Sequence, residues 1–184
     1  MVAEVLSALE TRRSARKLTE PGPTQEQLER ILRVGVNAPD HGRLRPWRFV
    51  VVTAQARLGL GDLLARLLKE KIPGATAEQL AAERNKVLRA PCIIAVAARL
   101  SGTKIPEIEQ ILSAGAAAEN IFLAARALGF GVMWKTGDAA YNPQMKRYLG
   151  LVPEDHIVAF LYIGTVAEAG VSAAVSLDGL VTWL

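Results

Sequence analysis

Residues 106–128 read PEIEQILSAGAAAENIFLAARAL and are followed at 129–134 by GFGVMW. Ile108, Ile111, Leu112, Ala116, Ile121, Leu123 and Leu128 lie on a helical pattern, but alanines rather than charges fill the gaps between them. The predicted helix therefore has almost no polar face and is expected to be buried on most sides. Gly129 is placed to end it, because glycine adopts the left-handed backbone of a helix C-terminus without steric cost. Phe130–Trp134 then reads as a strand and Lys135-Thr136-Gly137-Asp138 as a polar turn.

Working outward, Trp47–Val52 is rich in aromatic and β-branched residues and reads as a strand. Helices over 55–71 and 76–88 follow it, parted by Pro73-Gly74, and a second strand runs over 91–98. Towards the N-terminus, residues 2–11 predict a helix ending in the basic cluster Arg12, Arg13, Arg16 and Lys17, and Glu20-Pro21-Gly22-Pro23 breaks the chain. Thr24 with Gln27 three residues later has the form of a capping box, opening a helix over 25–37 that Pro39 stops. Towards the C-terminus, Pro143 suits the first turn of a short helix reaching Leu149, and Ile157–Ile163 is the clearest strand. The tail from Val166 to Leu184 ends in Leu-Val-Thr-Trp-Leu, an apolar run expected to pack on a partner subunit. Neither a repeat nor a linker is visible, so residues 1–184 read as a single domain of α+β, three-layer type.

Composition agrees with a folded core: of 184 residues, 51% are hydrophobic and only 5% aromatic, so most of the apolar content is aliphatic. Glu119, Asn120 and Arg126 interrupt the longest apolar stretch, which excludes the roughly 18–20 uninterrupted apolar residues of a spanning helix. Glu4 stands close behind Met1 and no apolar leader follows, so the expected location is the cytoplasm, with no membrane partner. One cysteine, Cys92, and two histidines, His41 and His156, give no metal framework. The net charge of +4 is modest but unevenly placed. Arg43, Arg45, Arg48 and Arg57 fall in the acid-free stretch between Asp40 and Asp62, so this quarter of the chain suits an anion.

Three segments carry candidate chemistry. Arg12-Arg13-Ser14-Ala15-Arg16 offers guanidinium forks and a hydroxyl within a single turn, the donors that grip a phosphate or polyol, although a solvated helix end has the same composition. Asn37-Ala38-Pro39-Asp40-His41 lies at a helix exit; Asp40 beside His41 suggests a dyad, but no Gly-x-Ser-x-Gly elbow accompanies it and Cys92 sits in an apolar strand. A capping aspartate and a hydrogen-bonded surface histidine explain the pair equally well. Gly129-Phe130-Gly131 precedes a strand instead of following one, the reverse of the dinucleotide fingerprint. Trp134-Lys135-Thr136-Gly137 sets exposed backbone N–H groups beside an aromatic ring and a cation, which suits an electron-rich heterocycle.

Taken in order, Arg12-Arg13-Ser14-x-Arg16, Ala38-Pro39, Pro46-Trp47 entering Arg48-Phe49-Val50-Val51, Gly129-Phe130-Gly131 before Trp134, and Phe160-Leu161-Tyr162-Ile163-Gly164 resemble the FMN-dependent nitroreductase family. Ala38-Pro39-Asp40-His41 is similar to its short NAD(P)H nitroreductase branch. The resemblance implies a three-layer fold with a mixed β-sheet flanked by helices, in an intertwined homodimer with FMN at the subunit interface. It implies that Arg12, Arg13 and Ser14 hold the phosphate, ribityl chain and pyrimidine edge, with Arg12, Arg16 or Lys17 supplying the phosphate's counter-charge because no Lys or Arg follows Arg147. Trp134, Lys135 and Thr136 would lie along the ring, and Asn37 and His41 would reach in from the partner. The helix 106–128 would then be the interface helix.

The activity so implied is ping-pong hydride transfer from NAD(P)H through FMN to nitroaromatic or quinone-like small-molecule acceptors, with no side-chain nucleophile and no metal. Arg45 stands where the family commonly carries Gln, so a cation there would favour anionic acceptors or the phosphates of the donor. Two other readings compete. One keeps the flavin but not the turnover, as a flavin-binding or flavin-transforming relative. The other makes the arginines a basic nucleic-acid-binding module, which needs exposed aromatics among them and steep salt dependence; only Trp47 is near, and it reads as buried, so no nucleic-acid partner is expected.

Overall fold

A computed structural model describes residues 2–171 and 175–184. In chain order its elements are α1 (Val2–Glu10), β1 (Lys17–Thr19), α2 (Gln25–Gly35), β2 (Trp47–Thr53), α3 (Ala54–Lys71), α4 (Ala77–Arg84), β3 (Cys92–Ala98), α5 (Glu107–Ala127), β4 (Gly131–Lys135), α6 (Asp138–Tyr141), α7 (Pro143–Tyr148) and β5 (His156–Glu168). Short 3₁₀ turns occupy His41–Arg43 and Asn85–Arg89. β5 organises the sheet: it pairs with β3 and with β4, its far end pairs with β1, and β2 lies on β3. The resemblance implies a mixed sheet; every pairing among the described residues is antiparallel.

All seven residues of β3 are buried, as expected of a strand covered on both faces. Ile93, Ala95 and Ala97 belong to a core with Leu60 and Leu63 of α3 and Met145 of α7. Cys92, Ile94 and Val96 belong to a second core with Ile31 of α2 and Ile121 and Phe122 of α5. The sheet is thus the middle of three layers. α2 and α5 approach closely at Gly35, where an added Cβ would lie 2.8 Å from Cγ1 of Ile121.

The local signals form as read. Gln27 N–H donates to Thr24 Oγ1 at 3.3 Å and Thr24 N–H to Gln27 Oε1 at 2.9 Å, completing the capping box. Gly129 takes φ +88°, while Gly129 N–H donates to the Arg126 carbonyl at 2.9 Å and Phe130 N–H to that of Ala125 at 3.0 Å; these are the paired bonds that close a helix C-terminus.

Three expectations need correction. The helix over 76–88 ends at Arg84 and tightens into the 3₁₀ turn, whose Val87 is buried. The Arg12–Arg16 run makes no single turn: Ala15 N–H donates to Val132 O at 2.9 Å and Arg16 N–H to Glu168 O at 3.0 Å, so the run leads into β1, a strand the sequence reading passed over. α5 is buried on one face only; Ala114, Ala117, Ala118 and Ile121 are inaccessible, whereas Ile108 is 59% and Leu112 63% exposed. The tail, expected to pack on a partner subunit, leaves Leu180, Trp183 and Leu184 exposed on the single chain, and Ser172, Ala173 and Ala174 within it lie outside the described residues. Among the described residues no helix is long and apolar enough to cross a membrane.

Candidate functional site

Two cavities adjoin along the β4 side of the sheet. The larger, 730 Å³, is bounded by the Ser14–Leu18 stretch, Leu88, Arg89, Met133 and the end of β5 at Glu168. The smaller, 480 Å³, lies between the leucines of α3 and the turn after β4, with Phe160 and Tyr162 of β5 in its wall. Arg89 and Lys135 line both.

The remaining charges of the cavity walls are largely paired. Lys71 of α3 bonds the Asp138 carboxylate, each holding the other charged, so that Lys71 titrates above and Asp138 below its ordinary value. Lys86 lies 2.5 Å from Glu83, and Arg16 3.4 Å from Glu168. Among the described residues Lys17, Arg89 and Lys135 have no carboxylate within ion-pairing distance. The junction of the two cavities therefore presents unneutralised cations over apolar walls, which is an environment for an anion carrying a flat or apolar body.

The candidate residues divide into two groups. Ser14 and Arg16 line the larger cavity, Thr136 the smaller, and Lys135 both. Ser14 Oγ accepts from Trp134 N–H at 3.3 Å, so the N-terminal stretch and the β4 turn are joined by a direct bond. Trp134 itself is half-buried and packs with the α5-side core. The next turn is fixed by Gly137 at φ +111°, in the left-handed region where a side chain would be strained. Arg12 lies over the Phe122 ring at 5.1 Å with its Nε 3.7 Å from Glu119 Oε1, and Arg13 donates to Thr11 O at 3.4 Å; neither lines either of the two cavities.

The second group is elsewhere. Asn37 donates from Nδ2 to Arg33 O at 2.8 Å, and His41 Nδ1 lies 2.6 Å from Glu109 Oε2 on the first turn of α5. Both are exposed and neither lines either of these two cavities. There is no Asp40–His41 dyad: the Asp40 carboxylate accepts from Leu44 N–H at 3.0 Å and Arg45 N–H at 2.9 Å. Nor does Cys92 offer a nucleophile, since burial pushes its thiol up to about 12.

Sequence reasoning missed Lys86 and Arg89. Each is a single cation near the end of a helical stretch, and only tertiary packing carries them to the cavities. A basic residue just ahead of Ala90-Pro91 and a buried strand is the one local sign of Arg89.

The model of the Nitroreductase family matches residues 9–165. A curated relative from Escherichia coli K12, named "Putative NAD(P)H nitroreductase YdjA", is 39% identical over 165 residues, covering 88% of each chain. A solved structure of a "putative nitroreductase in complex with FMN" from Desulfovibrio desulfuricans superposes with a TM-score of 0.78 at 27% identity, covering 98% of this chain and 96% of that one. A nitroreductase-like family protein from Bacillus cereus shares the fold at a TM-score of 0.81 and 24% identity, over 98% of this chain and 95% of that one.

Proposed function

The chain belongs to the nitroreductase family, and from that premise we propose that it is an FMN-dependent NAD(P)H oxidoreductase acting on nitroaromatic or quinone-like acceptors. The observation that carries this reading is the Ser14–Trp134 bond, which joins the arginine-serine stretch to the aromatic turn beside two adjoining cavities. The residues present fit the cofactor: Arg16 at the cavity edge with Lys17 and Arg89 beside it for a phosphate, a serine hydroxyl for a polyol, and an apolar wall with backbone N–H groups for a flat ring.

Arg12, Arg13, Ser14 and Arg16 would hold the phosphate, the ribityl chain and the pyrimidine edge. Trp134, Lys135 and Thr136 would lie along the ring from the same chain. Asn37 and His41 serve the partner's site, a reading supported by their absence from the lining of both cavities and by their place beside the open face of α5. Bound there, FMN supplies two-electron transfer between a nicotinamide donor and an acceptor. Lys135, and N–H groups at Thr136 and Gly137, would stabilise negative charge on the reduced ring by preorganised electrostatics.

The purified protein should be yellow, and denaturation should release FMN and not FAD. NADPH or NADH should bleach it, a nitroaromatic or quinone should restore the colour, and initial-rate plots should be parallel. A protein that stays colourless in the presence of added FMN would overturn the reading, and flavin that neither nucleotide bleaches would favour the relative without turnover.

A further inference from the structure

The loop between α2 and β2 holds three residues with positive φ among four: Gly42 at φ +70°, Arg43 at +54° and, beyond Leu44, Arg45 at +50°. L-residues enter that region only where their surroundings over-determine it. Here Asp40 does so, its carboxylate accepting from the N–H groups of Leu44 and Arg45. Arg48 adds a further tie, donating to the carbonyls of Arg45 at 3.0 Å and Trp47 at 2.8 Å.

The loop is also pressed onto α5. Ser113 Oγ donates to Pro39 O at 2.6 Å, His41 meets Glu109, and a Cβ on Gly42 would fall 2.2 Å from Cδ1 of Ile105. The same end of α5 carries the exposed Ile108 and Leu112. Asp40 and Arg48 spend their polar atoms on the backbone, and Glu109 is taken by His41. Arg43 and Arg45 remain exposed, with no carboxylate within ion-pairing distance among the described residues. Glycine or asparagine would meet these φ values at lower cost, so a guanidinium is what each position adds.

We propose that Arg43 and Arg45 form an anion-reading rim at the mouth of the site shared between two subunits, selecting small molecules that carry a carboxylate or phosphate. This rests on the proposed function, in which the Asn37–His41 segment adjoins the partner's flavin. Guanidinium forks suit both groups, and an immobilised loop presents them without ordering cost.

The test uses the FMN-loaded protein and the double variant Arg43→Asn/Arg45→Asn, since asparagine tolerates the left-handed backbone. Calorimetry compares benzoate with benzamide, equal in shape but not in charge, and kinetics compare 4-nitrobenzoate with 4-nitrobenzamide and NADPH with NADH. The parent is expected to prefer the anion, and the double variant to lose about ten-fold or more of that preference, whereas Arg66→Ala on exposed α3 should lose none. Loss in the benzoate and nitrobenzoate ratios assigns the anion to the acceptor, and loss only in the NADPH ratio assigns it to the donor's phosphate. Turnover with every ratio unmoved would overturn the rim and leave the oxidoreductase standing. A chain that takes up no flavin would overturn both.

Discussion

Ser14 is the residue on which the same-chain half of the site turns. Its Oγ bonds the Trp134 N–H, and on either side the chain supplies Arg12 and Arg16, whose guanidiniums are engaged differently. Arg16 lies 3.4 Å from Glu168 at the edge of the larger cavity, while Arg12 rests on Phe122 beside Glu119. The Arg16 pair is largely solvent-exposed and the Arg12 pair, half-buried, is long at 3.7 Å, so both are weak and a phosphate can replace the Glu168 carboxylate at little cost. Arg16→Ala and Arg12→Ala are each expected to weaken FMN binding by about ten- to hundred-fold, the worth of one charge-assisted contact. Titration of the flavin-free protein, followed by quenching of FMN fluorescence, checks this. Loss in Arg16→Ala alone would confine the phosphate to the cavity residues and leave Arg12 a surface contact of α5.

At the scale of elements, the sheet depends on two close approaches around β5. Gly164 sits where an added Cβ would meet Pro91 Cδ at 2.6 Å and the backbone oxygen of Thr19 at 2.9 Å. A backbone atom in a ladder cannot yield as a side chain can, so Gly164→Ala should cost about 1–3 kcal/mol, and Tm should fall by about 2–4 °C for each kcal/mol. Gly74→Ala, with open space around it, should stay within about 0.5 kcal/mol. Elements whose cause is local were legible in the sequence: the Thr24 box, the Gly129 terminus and the apolar runs of β2, β3 and β5. β1 was not, because Lys17-Leu18-Thr19 is too short to show a period and is a strand only by pairing with Thr165, Val166 and Glu168. The site divides in the same way. Ser14, Arg16, Lys135 and Thr136 were readable from side-chain chemistry within short segments, whereas Arg89 reaches the cavities through the packing of its 3₁₀ turn.

For the whole molecule, the surface left open by one chain is the deciding feature. Val5, Leu6 and Leu9 of α1, Val34 and Val36 at the end of α2, and Ile108 and Leu112 of α5 are all exposed, as are Leu180, Trp183 and Leu184 of the tail. Were these residues gathered on one surface they would mark an interaction face, and on a two-fold dimer that face would meet its own copy. The Asn37 and His41 segment borders that face while Ser14 and Arg16 line cavities of the chain, so each flavin site is expected to draw the first pair from one subunit and the second from the other. Two variants test it, one altered at Ser14 and Arg16 and the other at Asn37 and His41, unfolded and refolded together. Each homodimer has both sites damaged. A heterodimer gathers all the lesions in one site and leaves the other whole, so random pairing should restore about a quarter of all sites, read as bound FMN and as NAD(P)H oxidation. If both segments served one site within a chain, every site would keep a lesion; no recovery from a mixture shown to contain heterodimers would therefore refute the shared site, and with it the position given to Arg43 and Arg45 at its mouth.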